Sequence, residues 1–160
     1  MSKQQESPET TFTTDQSAEI LEFAREVLAS EAGAITEAAR ELTEAFPRAV
    51  QAILNCPGRV CVTGMGKAGV IGRKIQATLA STGTLAYSLH PVEALHGDLG
   101  MVHPEDIVIA LSRSGCSEIS QLVPLLKKIG CAIILLTGET ESTTAQYADF
   151  VLSIGNAPEA

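Results

Sequence analysis

A chain of 160 residues suffices for one domain with a buried core, and 45% hydrophobic but only 4% aromatic content points to a core of Val, Ile, Leu and Ala. Its 19 acidic against 11 basic residues give a formal charge of −8, which argues against nucleic acid or an anionic membrane as the main partner. No apolar run approaches the ~18 residues of a membrane span, so an anionic ligand would have to be held locally, by backbone amides, hydroxyls and a lysine.

Residues 1–16 are polar, rich in Ser, Thr, Gln and Glu, and read as a flexible tail. No signal-like apolar run follows Met1, and Cys56, Cys61, Cys116 and Cys131 form no CxxC pair, so the thiols read as reduced and the protein as cytoplasmic. Residues 17–57 form a helical segment. Ile20, Phe23, Ala24, Val27, Leu28, Ile35, Ala38, Leu42, Phe46, Val50 and Ile53 recur at three- and four-residue steps, as one long or two consecutive helices. Asp15 or Ser17 is expected to cap the start, and Pro47 and Cys56-Pro57-Gly58 to punctuate the end. This apolar stripe predicts packing on a sheet or self-association into a homo-oligomer.

From residue 58 onward short apolar runs alternate with helices. The pattern predicts strands at Val60–Thr63, near Leu85–Leu89, at Ile107–Leu111, Ala132–Leu136 and Phe150–Ile154. Between them it predicts helices over Lys67–Thr82 and Ser117–Ile129, and a short one near Thr143–Ala148. Continuous apolar strands joined by helical crossovers imply a doubly wound α/β fold, a parallel sheet covered on both faces. Cys61 and Cys131, inside apolar runs, read as buried small hydrophobes.

Ligands of such sheets bind beyond the carboxyl ends of the strands. The first strand leads into Gly64-Met65-Gly66-Lys67-Ala68-Gly69, a GxGxxG whose glycines bring N–H groups to a phosphate at a helix start. A dinucleotide site also requires an acid after the second strand, where Tyr87-Ser88-Leu89-His90 offers none, and the Walker spacing around Lys67 is absent. The third strand opens into Ser112-Arg113-Ser114-Gly115-Cys116-Ser117-Glu118. Hydroxyls around a glycine at a helix start suit a phosphate dianion; the same residues also read as an ordinary serine cap. The connection His90-Pro91-Val92-Glu93-Ala94-Leu95-His96-Gly97-Asp98-Leu99-Gly100 supplies a candidate acid–base in His96. A structural role suits His90, and the spacing of His90, His96 and His103 fits no standard zinc pattern, so no metal and no cofactor is expected.

Taken together, Val62 to Lys74, Ala80-Ser81-Thr82-Gly83-Thr84, His90 to Met101 and the Ser112 loop resemble arabinose-5-phosphate isomerases, whose catalytic part is a sugar-isomerase (SIS) domain. The resemblance covers residues 58–160 and implies a three-layer αβα sandwich with a five-stranded parallel sheet. It implies sugar-phosphate binding at the strand ends, through Gly64, Gly66, Ser112, Ser114 and Ser117, and interconversion of D-arabinose 5-phosphate and D-ribulose 5-phosphate. That reaction feeds synthesis of the Kdo sugar of lipopolysaccharide. By motif position Lys67, His96, Glu118 and Glu159 correspond to the family's catalytic lysine, histidine and two glutamates. The family carries Ser at the place of Ala68, Asn at that of Arg113 and Glu near Cys116, and its loop before Glu118 is one residue longer. It also continues past the position of Ala160 with a second catalytic histidine, so the expectation is a C-terminally incomplete domain with weak turnover. A non-catalytic phosphosugar-sensing module is the alternative.

Overall fold

The computed structural model describes residues 11–115, 118–155 and 157. Helix α1 (Thr14–Arg40) opens on a capping box in which the Thr13 side chain accepts from Gln16 N and the Gln16 side chain accepts from Thr13 N. The start therefore lies at Thr13, ahead of the expected Asp15 or Ser17, because Gln16 stands three residues on and completes the reciprocal pair. The helical segment resolves into two helices, with α2 (Ala45–Leu54) following after a short break. Pro47 falls in the first turn of α2, where its missing N–H leaves no intrahelical bond unmade, so it opens this helix and ends none.

The five strands are β1 (Val60–Gly64), β2 (Ala86–Leu89), β3 (Ile107–Leu111), β4 (Ala132–Thr137) and β5 (Phe150–Ser153), all parallel, in the order β2-β1-β3-β4-β5. Every residue of β1 and β3 is buried, which accounts for their unbroken apolar character. Val60, Val62, Ile107, Ile109 and Ile134 face α2 and α3 (Gly66–Ser81). Cys61, Val108, Ala110, Ile133 and Leu135 face α4 (Pro91–Leu95) and α5 (Glu118–Ile129). The result is a three-layer αβα sandwich. Ile119, Leu122, Val123 and Leu126 of α5 are wholly or almost wholly buried, each such side chain contributing ~1.5–3 kcal/mol. That apolar face carries the helix through its internal Pro124.

Three elements differ from the sequence pattern. α4 and the 3-10 turn Asp98–Met101 occupy the connection after β2, for which the sequence pattern predicts no helix, and the expected helix near Thr143–Ala148 is a 3-10 turn, Ala145–Tyr147.

At the amino end of the sheet the Asp106 side chain is 1% exposed and accepts four hydrogen bonds. These come from Arg59 N at 2.8 Å, the Arg59 guanidinium at 3.1 Å, Tyr87 OH at 3.0 Å and His103 N at 3.1 Å. The guanidinium also lies 4.4 Å from the centre of the Tyr87 ring. Burial alone would push the Asp106 carboxyl up; the surrounding donors outweigh it and hold it below the usual carboxylate range. Burial pushes the Cys61 thiol up to about 12 and the Cys131 thiol to about 11, so both stay protonated and pack as small hydrophobes. Cys56, Cys61 and Cys131 form no disulfide. Among the described residues no helix is long and apolar enough to cross a membrane.

Candidate functional site

The chain leaves β1 toward β2 on one side and later returns to β3 on the other, so the strand order reverses between β1 and β3. A crevice at the carboxyl ends of strands at such a reversal is where sheets of this type take ligands. Two turns meet there.

The first turn joins β1 to α3 and is shaped by its glycines. Gly66, with φ +56, begins the helix in the left-handed region. A Cβ on Gly69 would lie 2.5 Å from the Gly64 carbonyl oxygen, so the first turn of α3 can approach the end of β1 only without a side chain there. This close approach places the first turn of α3, with exposed Lys67, at the carboxyl end of β1. A cleft of about 300 Å³ opens beside the same turn, lined by Gly64, Gly69, Arg73, Ser88, His90 and Glu93.

The second turn joins β3 to α5. Ser112 is buried, Arg113 and Ser114 are exposed, and Gly115 adopts φ +64. A side chain on Gly115 would collide with Ser142, so the glycine is required both by its own backbone and by the connection packed behind it. Glu118, half-buried, is the first residue of α5. Because β1 and β3 are hydrogen-bonded neighbours, with Gly64 paired to Leu111, the turns carrying Lys67 and Gly64–Gly66 adjoin those carrying Ser112, Ser114 and Glu118. Ser117 and Glu159 lie outside the described residues.

His96 stands on a different connection, after β2, at the carboxyl cap of α4. It is exposed, and its Nδ1 lies 2.8 Å from the Val92 carbonyl oxygen. A carbonyl can only accept, so Nδ1 carries the hydrogen and Nε2 is the nitrogen that can exchange a proton. His90, exposed, forms the amino cap of α4 ahead of Pro91 at its first position.

Three buried hydroxyls near these turns escaped sequence reasoning. Thr63, 1% exposed, stands in the buried run of β1 just before Gly64, and its Oγ1 makes no hydrogen bond among the described residues. Thr137, fully buried, donates to the Arg113 carbonyl oxygen at 3.1 Å, and Thr144, 1% exposed, donates to the Gly115 carbonyl oxygen at 2.5 Å. Two of these pairs span 24 and 29 residues, beyond any local pattern. The signal available for Thr63 and Thr137 was a hydroxyl residue within an otherwise apolar strand, whereas Thr144 stands on the connection after β4. The Arg113 guanidinium reaches in the other direction and donates to the Ala157 carbonyl oxygen, tying the second turn to the segment that follows β5.

Comparison with known proteins places this geometry among relatives. Residues 53–160 match the SIS domain. Over 137 residues the chain is 48% identical to arabinose 5-phosphate isomerase KdsD of Escherichia coli K12, covering 85% of this chain and 42% of that protein. Over the same length it is 47% identical to arabinose 5-phosphate isomerase KpsF of Escherichia coli O6:H1 CFT073, covering 84% of this chain and 42% of that protein. The chain thus spans less than half the length of these two relatives. Among solved structures, an Escherichia coli CFT073 protein in complex with arabinose 5-phosphate superposes with a TM-score of 0.82 at 36% identity, covering 86% of this chain and 74% of that one.

Proposed function

The chain belongs to the SIS-domain family, and from that membership we propose that it is the sugar-phosphate-binding part of an enzyme interconverting D-arabinose 5-phosphate and D-ribulose 5-phosphate. The observation that carries the reading is the juxtaposition at the β1–β3 crevice. A glycine-rich turn bearing Lys67 there adjoins a serine-rich turn bearing Glu118, in a protein whose net charge of −8 leaves anion binding to local groups.

Aldose–ketose isomerisation moves a proton between neighbouring carbons through an enediol. It needs a base over the carbon, an acid near the oxygens and positive charge for the developing oxyanion. In this reading Glu118 is the base, His96 opens the ring or relays the proton through Nε2, and Lys67 stabilises the oxyanion. Glu159 supplies a second carboxylate. Gly64, Gly66, Ser112, Ser114 and Ser117 hold the phosphate. The domain is the region 58–160, preceded by the helical segment, and the working compartment is the cytoplasm, where Cys56, Cys61 and Cys131 stay reduced. The apolar stripe of α1, which carries no buried residue, supports a homo-oligomer in which a second copy covers it.

Calorimetry tests the reading. The chain should bind arabinose 5-phosphate, and the double variant Ser114→Ala, Ser117→Ala should bind it about tenfold more weakly, two hydroxyl contacts to a charged group being at stake. Equal affinity for unphosphorylated arabinose would defeat the proposal. Glu118→Gln should leave binding intact while slowing exchange of the C2 proton with deuterated solvent by ~10²–10⁴-fold; unchanged exchange would remove Glu118 as the base.

A further inference from the structure

A peptide turn holds as many carbonyl acceptors as N–H donors, and a phosphate dianion is repelled by any carbonyl that faces it. A turn that holds such an anion presents its N–H groups to it and turns its carbonyls away. Three carbonyls of the second turn are occupied, two of them from outside it. The Ser112 oxygen accepts from Gly115 N at 3.3 Å. The Arg113 oxygen accepts from Gly138 N at 2.9 Å and from Thr137 Oγ1 at 3.1 Å. The Gly115 oxygen accepts from Thr144 Oγ1 at 2.5 Å.

From this arrangement we propose that Thr137 and Thr144 are positioning residues for sugar-phosphate binding. From behind the turn they hold the Arg113 and Gly115 carbonyls away from the dianion, so that it meets donors. This rests on the reading of the Ser112 turn as the phosphate site. Neither threonine touches the ligand.

The geometry of each hydroxyl is specific to the task. Thr137 Oγ1 accepts from Glu139 N at 3.0 Å, which leaves its one hydrogen for a carbonyl. Arg113 O at 3.1 Å is nearer than Glu139 O at 3.5 Å. Thr144 is carried by a connection that caps itself: Ser142 N donates to Glu139 O at 3.1 Å, and Ala145 N donates to Ser142 O at 3.0 Å. Ser142 in the same connection abuts Gly115, so the connection after β4 forms a backing against which the turn is pressed.

The test compares valine, which keeps the shape and loses the hydroxyl, with serine, which keeps the hydroxyl. The chain and its variants are titrated by calorimetry with arabinose 5-phosphate and, separately, with inorganic phosphate. Thr144→Val should weaken both ligands by about tenfold and Thr137→Val by about three- to tenfold, whereas Thr144→Ser should stay within about twofold of the unaltered chain. A purely structural hydroxyl would lower the melting temperature and leave the affinity of the folded protein unchanged. Valine variants that bind both ligands as tightly as the unaltered chain overturn the inference and leave the phosphate site standing. An unaltered chain that binds neither ligand overturns the site and the inference together. Should the valine variants not fold, amide exchange in the unaltered chain decides. Saturating inorganic phosphate should slow exchange of Gly138 N–H, which donates to the Arg113 carbonyl, and an unchanged rate overturns the inference.

Discussion

Asp106 shows how one side chain can organise the amino end of a sheet. It joins the residue before β1 (Arg59), a residue of β2 (Tyr87) and the approach to β3 (His103) through four hydrogen bonds on a buried carboxylate. Gly58 is fitted to it, since a Cβ there would lie 2.7 Å from Asp106 Oδ1. Asparagine in its place would lose the charge and point an N–H₂ at a donor. Each charge-assisted bond is worth ~1.5–3 kcal/mol, so loss of one in Asp106→Asn should lower the melting temperature by about 3–12 °C. The lowered carboxyl also sets a pH dependence. Its contribution is complete above the unfolded value of ~3.9 and fades as pH falls toward and through the lower folded value. The variant should therefore differ from the unaltered chain at neutral pH and converge with it in strong acid. A gap in melting temperature that is constant with pH would refute this. Nothing in the sequence announced the cluster, because Arg59, Tyr87 and Asp106 stand in three separate segments and meet only through strand pairing.

At the scale of elements, burial on both faces made the strands legible: Ile107–Leu111 reads as it folds, and β1, β4 and β5 differ by one residue at their ends. α5 reads through Pro124 because the apolar spacing around Ile119, Leu122, Val123 and Leu126 outweighs one proline. The opposite case is α4, whose five residues are too few to show a period and whose one sign was Pro91 at the first helical position. In the site, the glycine and serine turns were visible as strings, while the Thr137 and Thr144 contacts depend on the fold. The junction of β1 and α3 yields a prediction of its own. Gly69→Ala would drive a methyl group to 2.5 Å from the Gly64 oxygen and force α3 off the strand end, whereas a Cβ at Gly72 meets only side chains, Val62 nearest at 3.3 Å. Gly69→Ala should thus weaken arabinose 5-phosphate binding more than tenfold, as a misplaced turn does, and Gly72→Ala by less than about threefold. Equal effects of the two would show that the close approach does not set the turn.

For the whole molecule, α1 is the part that the single chain does not explain. Twenty-seven helical residues carry no buried side chain, with Ile20 47%, Leu28 65% and Ile35 72% exposed along one stripe. A lone helix with such a stripe is marginal in water, and a closed symmetric pairing would bury it. Light scattering at tens of micromolar should show an oligomer, and the double variant Ile20→Glu, Leu28→Glu should shift it toward monomer; a monomeric unaltered chain would refute the pairing. The sheet itself divides its labour by direction. The Asp106 cluster lies at one end of strands whose other end carries the glycine and serine turns, separated along the five-residue β1 by ~16 Å. Changes that far apart, with no shared partner, combine additively in free energy. Sequence drift at the amino end can therefore raise or lower the melting point of this fold while, on the proposed function, the carboxyl end is retuned for another phosphorylated ligand, and neither history constrains the other.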